Sequence, residues 1–296
     1  MKYTYYPGCS LQASAVEYDG STRALMQALD IELAEIEDWN CCGATAAEPV
    51  SRLLSYALPA RNIAMAEKNS KADILVPCSA CYLNLKKVEV EKKKDRQLSE
   101  QIDQVLKEEE LDLANRVRVR HLLEVMANDI GPGMIADRVT HSLSGVKIAP
   151  YYGCQALRPY KVFDDPEAPT SMEPLIRACG ADVFEWDSGA KCCGASNMNT
   201  KSETAEILVR KILEDARGAD AIVTICPMCQ LNLDGFQGRI SHRAGKDLSI
   251  SVIYLPQLIG AALGLSSREL MLNKNLVLKK EISKKLETVD DHGGQK

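Results

Sequence analysis

Imidazole and large aromatic rings are scarce in this chain: four histidines, three phenylalanines and two tryptophans in 296 residues. The histidines are dispersed, which leaves no His cluster of the kind that catalytic zinc or copper uses. Positive charge is not in surplus either. Lys and Arg total 36 against 41 Asp and Glu, a net charge of −5, and a chain without a basic excess is not built to neutralise nucleic-acid phosphates. No long apolar run is present. The longest, Val252 to Gly264, is broken by Pro256 and Gln257 and is too short to span a bilayer. The opening MKYTYYPGC reads as a strand and lacks the apolar core of a signal peptide. A cytoplasmic protein with reduced thiols is therefore expected. There is no G-x-G-x-x-G or P-loop, so the chain is not expected to hold its own flavin, nicotinamide or nucleotide. The ferredoxin-type C-x2-C-x2-C-x3-C-P run is missing as well, so ordinary cubane clusters and the electrons they carry belong to a partner subunit.

What the chain does have is sulfur. Ten of its eleven cysteines form one pattern that occurs twice: a lone Cys, then Cys-Cys-Gly, then Cys-x-x-Cys. The first set is Cys9, Cys41-Cys42-Gly43, Cys78 and Cys81. The second is Cys154, Cys192-Cys193-Gly194, Cys226 and Cys229. Cys179, beside Gly180 at the end of an apolar helix, is left over and reads as a small buried hydrophobe.

The flanking residues repeat too. Tyr6-Pro7-Gly8-Cys9 matches Tyr151-Tyr152-Gly153-Cys154, and CYLNL from Cys81 matches CQLNL from Cys229. Val117 to Val125 lies opposite Ser251 to Ile259. Matched blocks in one order mean duplication, each half being one structural unit. The expected division is 1–130 for the first unit, 146–265 for the second, and 266–296 for a C-terminal helix and polar tail. Gly131-Pro132-Gly133 reads as part of a linker.

Within a unit, short strands alternate with helices. Strands are expected at Tyr3 to Tyr6 and Val146 to Tyr152, before each Cys-Cys-Gly, and at Ile74-Leu75-Val76 and Ile222-Val223-Thr224 before each Cys-x-x-Cys. Helices are expected around Leu25, Met26 and Leu29, over Leu53 to Lys68, near Leu175 and Ile176, and over Thr204 to Arg217. This predicts an α/β fold of two tandem repeated units with largely parallel strands. The cysteines then sit at strand carboxyl ends, between the halves, where such folds carry their chemistry. The glycine after each Cys pair is expected to let the backbone turn closely around a cofactor. The charged stretch Lys86 to Glu110 reads as a solvated helix pair, with a docking surface as the alternative.

The half-sites are C-x31-CC-x35-C-x2-C and C-x37-CC-x32-C-x2-C. Five thiols exceed the four ligands of a structural zinc. Adjacent cysteines diverge along the backbone and suit two neighbouring irons better than one small ion, which favours iron–sulfur over zinc or a reactive dithiol.

With these blocks the chain resembles the heterodisulfide reductase B-subunit family, with its duplicated cysteine-rich (CCG) domain, from the YPGC at Tyr6 to the LPQLIGAALGL ending at Leu265. The resemblance implies two non-cubane [4Fe-4S] clusters, one on Cys9, Cys41, Cys42, Cys78 and Cys81, the other on Cys154, Cys192, Cys193, Cys226 and Cys229. It implies a cytoplasmic complex with a ferredoxin-like iron–sulfur subunit and a flavin/iron–sulfur subunit. It also implies reduction of a small disulfide substrate, the coenzyme M–coenzyme B heterodisulfide or an analogue. Two one-electron centres flanking one S–S bond would spare the release of a thiyl radical, and loss of one ligand such as Cys193 is expected to abolish two-electron turnover. The alternatives are an electron-transfer CCG subunit of another complex (class II benzoyl-CoA reductase, sulfate-reducer type, or a lactate, glycolate or succinate oxidoreductase) and a zinc-stapled structural protein. Lys191 and Arg158 are candidates for anionic substrate tails, although ordinary surface roles are favoured for both. His121 is expected to pack rather than ligate, and Trp39 and Trp186 to form an apolar shell around the clusters.

Overall fold

The computed structural model describes residues 1–287. Each half builds one four-stranded sheet in which every pairing is parallel. In the first half β1 (Lys2–Tyr5), β2 (Glu32–Glu35), β3 (Ile74–Val76) and β4 (Val119–His121) lie in the order β2-β1-β3-β4. In the second half β5 (Lys147–Tyr151), β6 (Asp182–Val183), β7 (Ala221–Thr224) and β8 (Ser251–Tyr254) repeat it as β6-β5-β7-β8. The α/β architecture in two similar halves follows the sequence reading. β3, β7 and β8 are buried along their whole length, as expected of strands covered on both faces.

The strand order reverses between β1 and β3, and between β5 and β7. A crevice opens at the carboxyl ends of such strands, at the point of reversal. Cys9 and Cys154 follow the first strand of each sheet, and Cys78 and Cys226 the third. Topology alone thus delivers the thiols to one place per half.

Several local expectations change. Gly131-Pro132-Gly133 opens the helix Gly131–Arg138 rather than a loose linker, since proline lacks only an N–H that a first helical turn leaves free. Near Leu175 and Ile176 the helix shrinks to Glu173–Ala178. The segment 154–172 before it holds Pro159, Pro166 and Pro169, which cannot continue a helix. It is a loop tied by Asp164, which accepts the amide protons of Asp165, Thr170 and Ser171. That loop docks on the first half: Tyr160 donates to Glu91 at 3.1 Å and Phe163 stacks on His121. The charged helix pair is real, as Ser79–Glu91 and Arg96–Lys107, but Leu98, Ile102 and Leu106 bury one face of the second helix. After Leu265 the chain passes through turns before the helix Lys280–Leu286; the expected polar end from Asp290 lies outside the described residues.

The halves share a core that runs from Tyr3 to Leu286, and a second cluster, from Ala149 to Val252, lies within the second half. The helix Val16–Ala28 of the first half packs on Leu255–Ala262 of the second. Here Tyr18 and Tyr254 stack with centroids 4.0 Å apart. Among the described residues no helix is long and apolar enough to cross a membrane.

Candidate functional site

Cys9 lies in the single helical turn Gly8–Leu11 after β1, and Cys41 and Cys42 on the loop after β2. Cys78 caps the Ser79–Glu91 helix and Cys81 stands in its first turn. The loop closes these segments on one another: Cys41 Sγ is 3.7 Å from Cys9 Sγ, and Cys42 Sγ is 3.3 Å from Cys81 Sγ. In the second half Cys226 caps the Pro227–Gly235 helix, and Cys193 Sγ is 3.6 Å from Cys229 Sγ. Cys154, Cys192, Cys193, Cys226 and Cys229 line one recess together with Ser79 of the first half. Every cysteine is a free thiol. Cys9, Cys41 and Cys192 face solvent and Cys154 is half-buried, while Cys42, Cys78, Cys81, Cys193, Cys226 and Cys229 are buried. Cys179 is buried away from both sets, at the end of the Glu173–Ala178 helix, and burial pushes its thiol up to about 12.

Crowding splits the acidities. Hydrogen bonds from the Cys41 and Cys81 thiols, against burial, bring Cys42 down to about 3. Cys41 and Cys81 are pushed up, chiefly as the donors in those bonds. In the second half the Cys154 thiol lowers Cys192 to about 6, aided by the Gly194 amide and Arg158. The Cys229 thiol lowers Cys226 to about 7. Five neighbouring thiols cannot all ionise by themselves, because each thiolate penalises the next. A polynuclear metal centre would supply the compensating positive charge. Among the described residues no three His, Cys, Asp or Glu side chains close around one ion position. The sulfurs instead lie pairwise at 3.3–3.7 Å. An all-thiol donor set spread in this way fits an iron–sulfur group.

The surroundings are duplicated as faithfully as the thiols. Tyr6 Oη donates to the Asn40 carbonyl at 2.8 Å, and Tyr151 Oη to the Lys191 carbonyl at 2.7 Å, anchoring the loop just before each Cys pair. Burial, then the adjacent cysteines, raise both phenols well above their ordinary range. Asn84 and Asn232 donate to the carbonyls of Cys42 and Cys193, at 3.3 and 3.1 Å. A Cβ on Gly8 would stand 2.8 Å from Cys81 Sγ, and one on Gly153 3.0 Å from Cys229 Sγ. These tyrosines, asparagines and glycines belong to the repeated blocks of the sequence, so repetition marks them although it does not reveal their roles.

Other expectations need correction. The rings beside the thiols are Tyr6 and Tyr151; Trp39 and Trp186 lie behind them, with centroids 5.5 and 6.1 Å away. Gly43 and Gly194 adopt positive φ, but their missing Cβ atoms make room for Leu58 and Ala205, not for sulfur. Neither proposed cation is free. Lys191 Nζ lies near Ser188 and Asp215, while Arg158 binds the Ala190 and Pro166 carbonyls and Glu167. Lys87 carries no signal in the sequence: burial lowers its pKa against the pull of Glu48 and Cys42, and its ammonium sits 4.8 Å from the Tyr56 ring centroid. His121 caps the Leu122–Val125 helix, as Tyr254 begins Leu255–Ala262, and its ring packs against Tyr82 and Phe163. The large cleft of about 700 Å³ along Glu167, Glu173, Arg177 and Trp186 contains no cysteine.

The two sulfur nests meet at the boundary between halves. Tyr18 Oη lies 3.0 Å from the Pro77 carbonyl oxygen and 3.1 Å from that of Ile225, the residues preceding Cys78 and Cys226.

The family model for the cysteine-rich domain, CCG, matches residues 3–86 and again 148–234. This chain belongs to the duplicated-CCG, heterodisulfide reductase B-subunit family. Across 93% of its length it is 34% identical to the 8-methylmenaquinol:fumarate reductase membrane anchor subunit of Wolinella succinogenes, covering 97% of that protein. It is 30% identical to the B-subunit of the ferredoxin/F420H2-dependent CoB-CoM heterodisulfide reductase of Methanosarcina acetivorans, over 93% of this chain and 94% of the relative. A hypothetical protein from Helicobacter pylori has the same fold, with a TM-score of 0.76 at 11% identity; it aligns with 95% of this chain, which spans about half, 53%, of that structure.

Proposed function

We propose that this chain is the iron–sulfur subunit of a heterodisulfide reductase-type oxidoreductase complex and cleaves a small disulfide. The observation that carries this reading is the pair of five-thiol nests built on equivalent strand ends and abutting at Tyr18. Cys9, Cys41, Cys42, Cys78 and Cys81 would hold one non-cubane [4Fe-4S] cluster. Cys154, Cys192, Cys193, Cys226 and Cys229 would hold the other. When bound, such clusters supply electrons singly, and cleaving RS–SR′ to two thiols consumes two electrons and two protons. The protein's own part is placement. Tyr6 and Tyr151 fix the loops that carry the vicinal cysteines, and the solvent-facing Cys9, Cys41 and Cys192 mark the side from which a substrate arrives. Electrons would come from ferredoxin-like and flavin/iron–sulfur subunits in the cytoplasm. The domain division 1–130 and 146–265 fits one nest per unit.

A second reading is an electron-transfer role in a quinol:fumarate reductase-type complex. The 34% identity to the Wolinella succinogenes protein favours it. Anaerobic purification, iron and acid-labile sulfide analysis, and assays with reduced viologen separate the possibilities. Disulfide-dependent viologen oxidation with about eight irons per chain supports the reductase. Iron with no turnover of any disulfide, but with oxidation by a fumarate reductase partner, supports the second. Zinc without sulfide would overturn both.

A further inference from the structure

A small cavity at the boundary between the halves contains no cysteine and is lined by oxygen. Its volume is about 90 Å³, several times the roughly 10–15 Å³ that one water molecule needs. Glu17 of the first half lines it together with Gln230, Asp234 and Tyr254 of the second. All four are buried, Glu17 to 7% exposure and Asp234 to 4%. Neither carboxylate forms an ion pair among the described residues. Exposed Lys274 stands at the rim as the one cation that lines the cavity.

Buried charge is ordinarily paired or bound to metal. Glu17 sits in the first turn of Val16–Ala28, where its own amide eases its charge. Asp234 lies in the last turn of Pro227–Gly235, the end of a helix that disfavours an anion. It accepts the amide protons of Leu276 and Val277 at 2.8 Å, and its charge adds to the rise that burial imposes on the Glu17 carboxyl.

Two neutral oxygens beside them are orphaned. Gln230 Nε2 donates to the Val252 carbonyl at 2.7 Å and faces Asp234, which fixes the amide and leaves Oε1 without a hydrogen-bond partner. Tyr254 Oη also has none, although the Glu17 charge acts on it. Two carboxylates and two unused oxygens thus face one polar space.

The first half treats the matching positions differently. The CYLNL and CQLNL blocks set Tyr82 opposite Gln230 and Lys86 opposite Asp234. There Tyr82, Phe163 and His121 pack ring against ring, and the buried Lys86 ammonium lies 3.0 Å from Glu89. The first half therefore buries a cation of its own where the second presents an anion.

We propose that Glu17, Gln230, Asp234 and Tyr254 form a site for a hard divalent cation, Mg²⁺ or Ca²⁺, that ties the two halves together. An all-oxygen set with two negative charges selects such ions, whereas the thiols of the two nests select softer ones. The site goes beyond the iron–sulfur reading and stands without it.

The test is calcium and magnesium binding by calorimetry, with thermal unfolding alongside, on the anaerobically purified full-length chain freed of divalent ions by chelation. Wild type, E17Q, D234N and the exposed-site control E203Q are compared. Wild type should bind one Ca²⁺ or Mg²⁺ per chain with a Kd of about 10⁻⁴–10⁻³ M, the weak end of carboxylate sites, and its Tm should rise on binding. E17Q and D234N should weaken binding by at least about tenfold, as loss of even an outer-shell partner of a metal does. E203Q should bind as wild type does. Should D234N fail to fold without its contacts to Leu276 and Val277, E17Q, which leaves them intact, decides alone. No binding by about 10 mM, tenfold above that range, would overturn the proposal. So would binding that E17Q leaves unchanged, or a Tm rise that KCl of equal ionic strength reproduces.

Discussion

At Gly8 the absence of one carbon decides where a sulfur can stand. Its φ is +72°, and a Cβ there would lie 2.8 Å from Cys81 Sγ. Gly8→Ala should therefore destabilise the fold by about 1–2 kcal/mol through the left-handed backbone alone, and displace Cys81 besides. A lowered Tm together with iron lost from one nest is the expected result; a variant with full iron would refute the contact. His121 gives a pH prediction. Burial holds its pKa down to about 3, against about 6.5 in an unfolded chain. As pH falls through that window the unfolded chain takes up a proton that the native state refuses, so stability is lost on acidification, by up to about 1.4 kcal/mol per pH unit. His121→Asn keeps a capping acceptor for the Leu123 amide and should flatten the profile by about one proton. Urea unfolding between about pH 4.5 and 7 measures it. The cysteine spacing made the thiols legible at this scale. The cross-boundary contacts of Ser79 and His121 were not, because nothing in a linear repeat says which half a side chain leans on.

Helices and strands that punctuate the chain with apolar runs were the easiest elements to place. Ile74–Val76 and Ala221–Thr224 are buried strands leading straight into a Cys-x-x-Cys, and 52–69 and 202–215 are the helices before them. The departures have local causes. Prolines at 159, 166 and 169 replace a helix with the 154–172 loop. Proline at 132 starts a helix where glycines suggested a linker. In Arg96–Lys107 the density of charge hides a stripe of Leu98, Ile102 and Leu106, all buried. Ile102→Ala should cost about 2–5 kcal/mol, the range for truncating a packed aliphatic side chain. A solvated helix would lose well under 1 kcal/mol, so denaturant midpoints distinguish the two.

Taken whole, the molecule is a duplication that no longer behaves as two parts. Tyr18 and Tyr254 stack across the boundary, Arg138 binds the Ala28 carbonyl and Asp30, and the 154–172 loop lies on the first half. A core continuous from Tyr3 to Leu286 predicts one cooperative unfolding transition. Residues 1–130 and 146–296, produced separately, should fail to give dispersed NMR spectra; two well-folded halves would contradict this. Sequence repetition displayed the two units but not their fusion, because a matched block such as Ser251 to Ile259 does not say which residue of the other half Tyr254 will stack on. The uneven exposure of the thiols has one more consequence. Six sulfurs of the two nests, Cys42, Cys78, Cys81, Cys193, Cys226 and Cys229, are buried, whereas Cys9, Cys41 and Cys192 remain at the surface. A thiol-directed alkylating reagent should therefore reach Cys9, Cys41 and Cys192 well before the six buried sulfurs behind them.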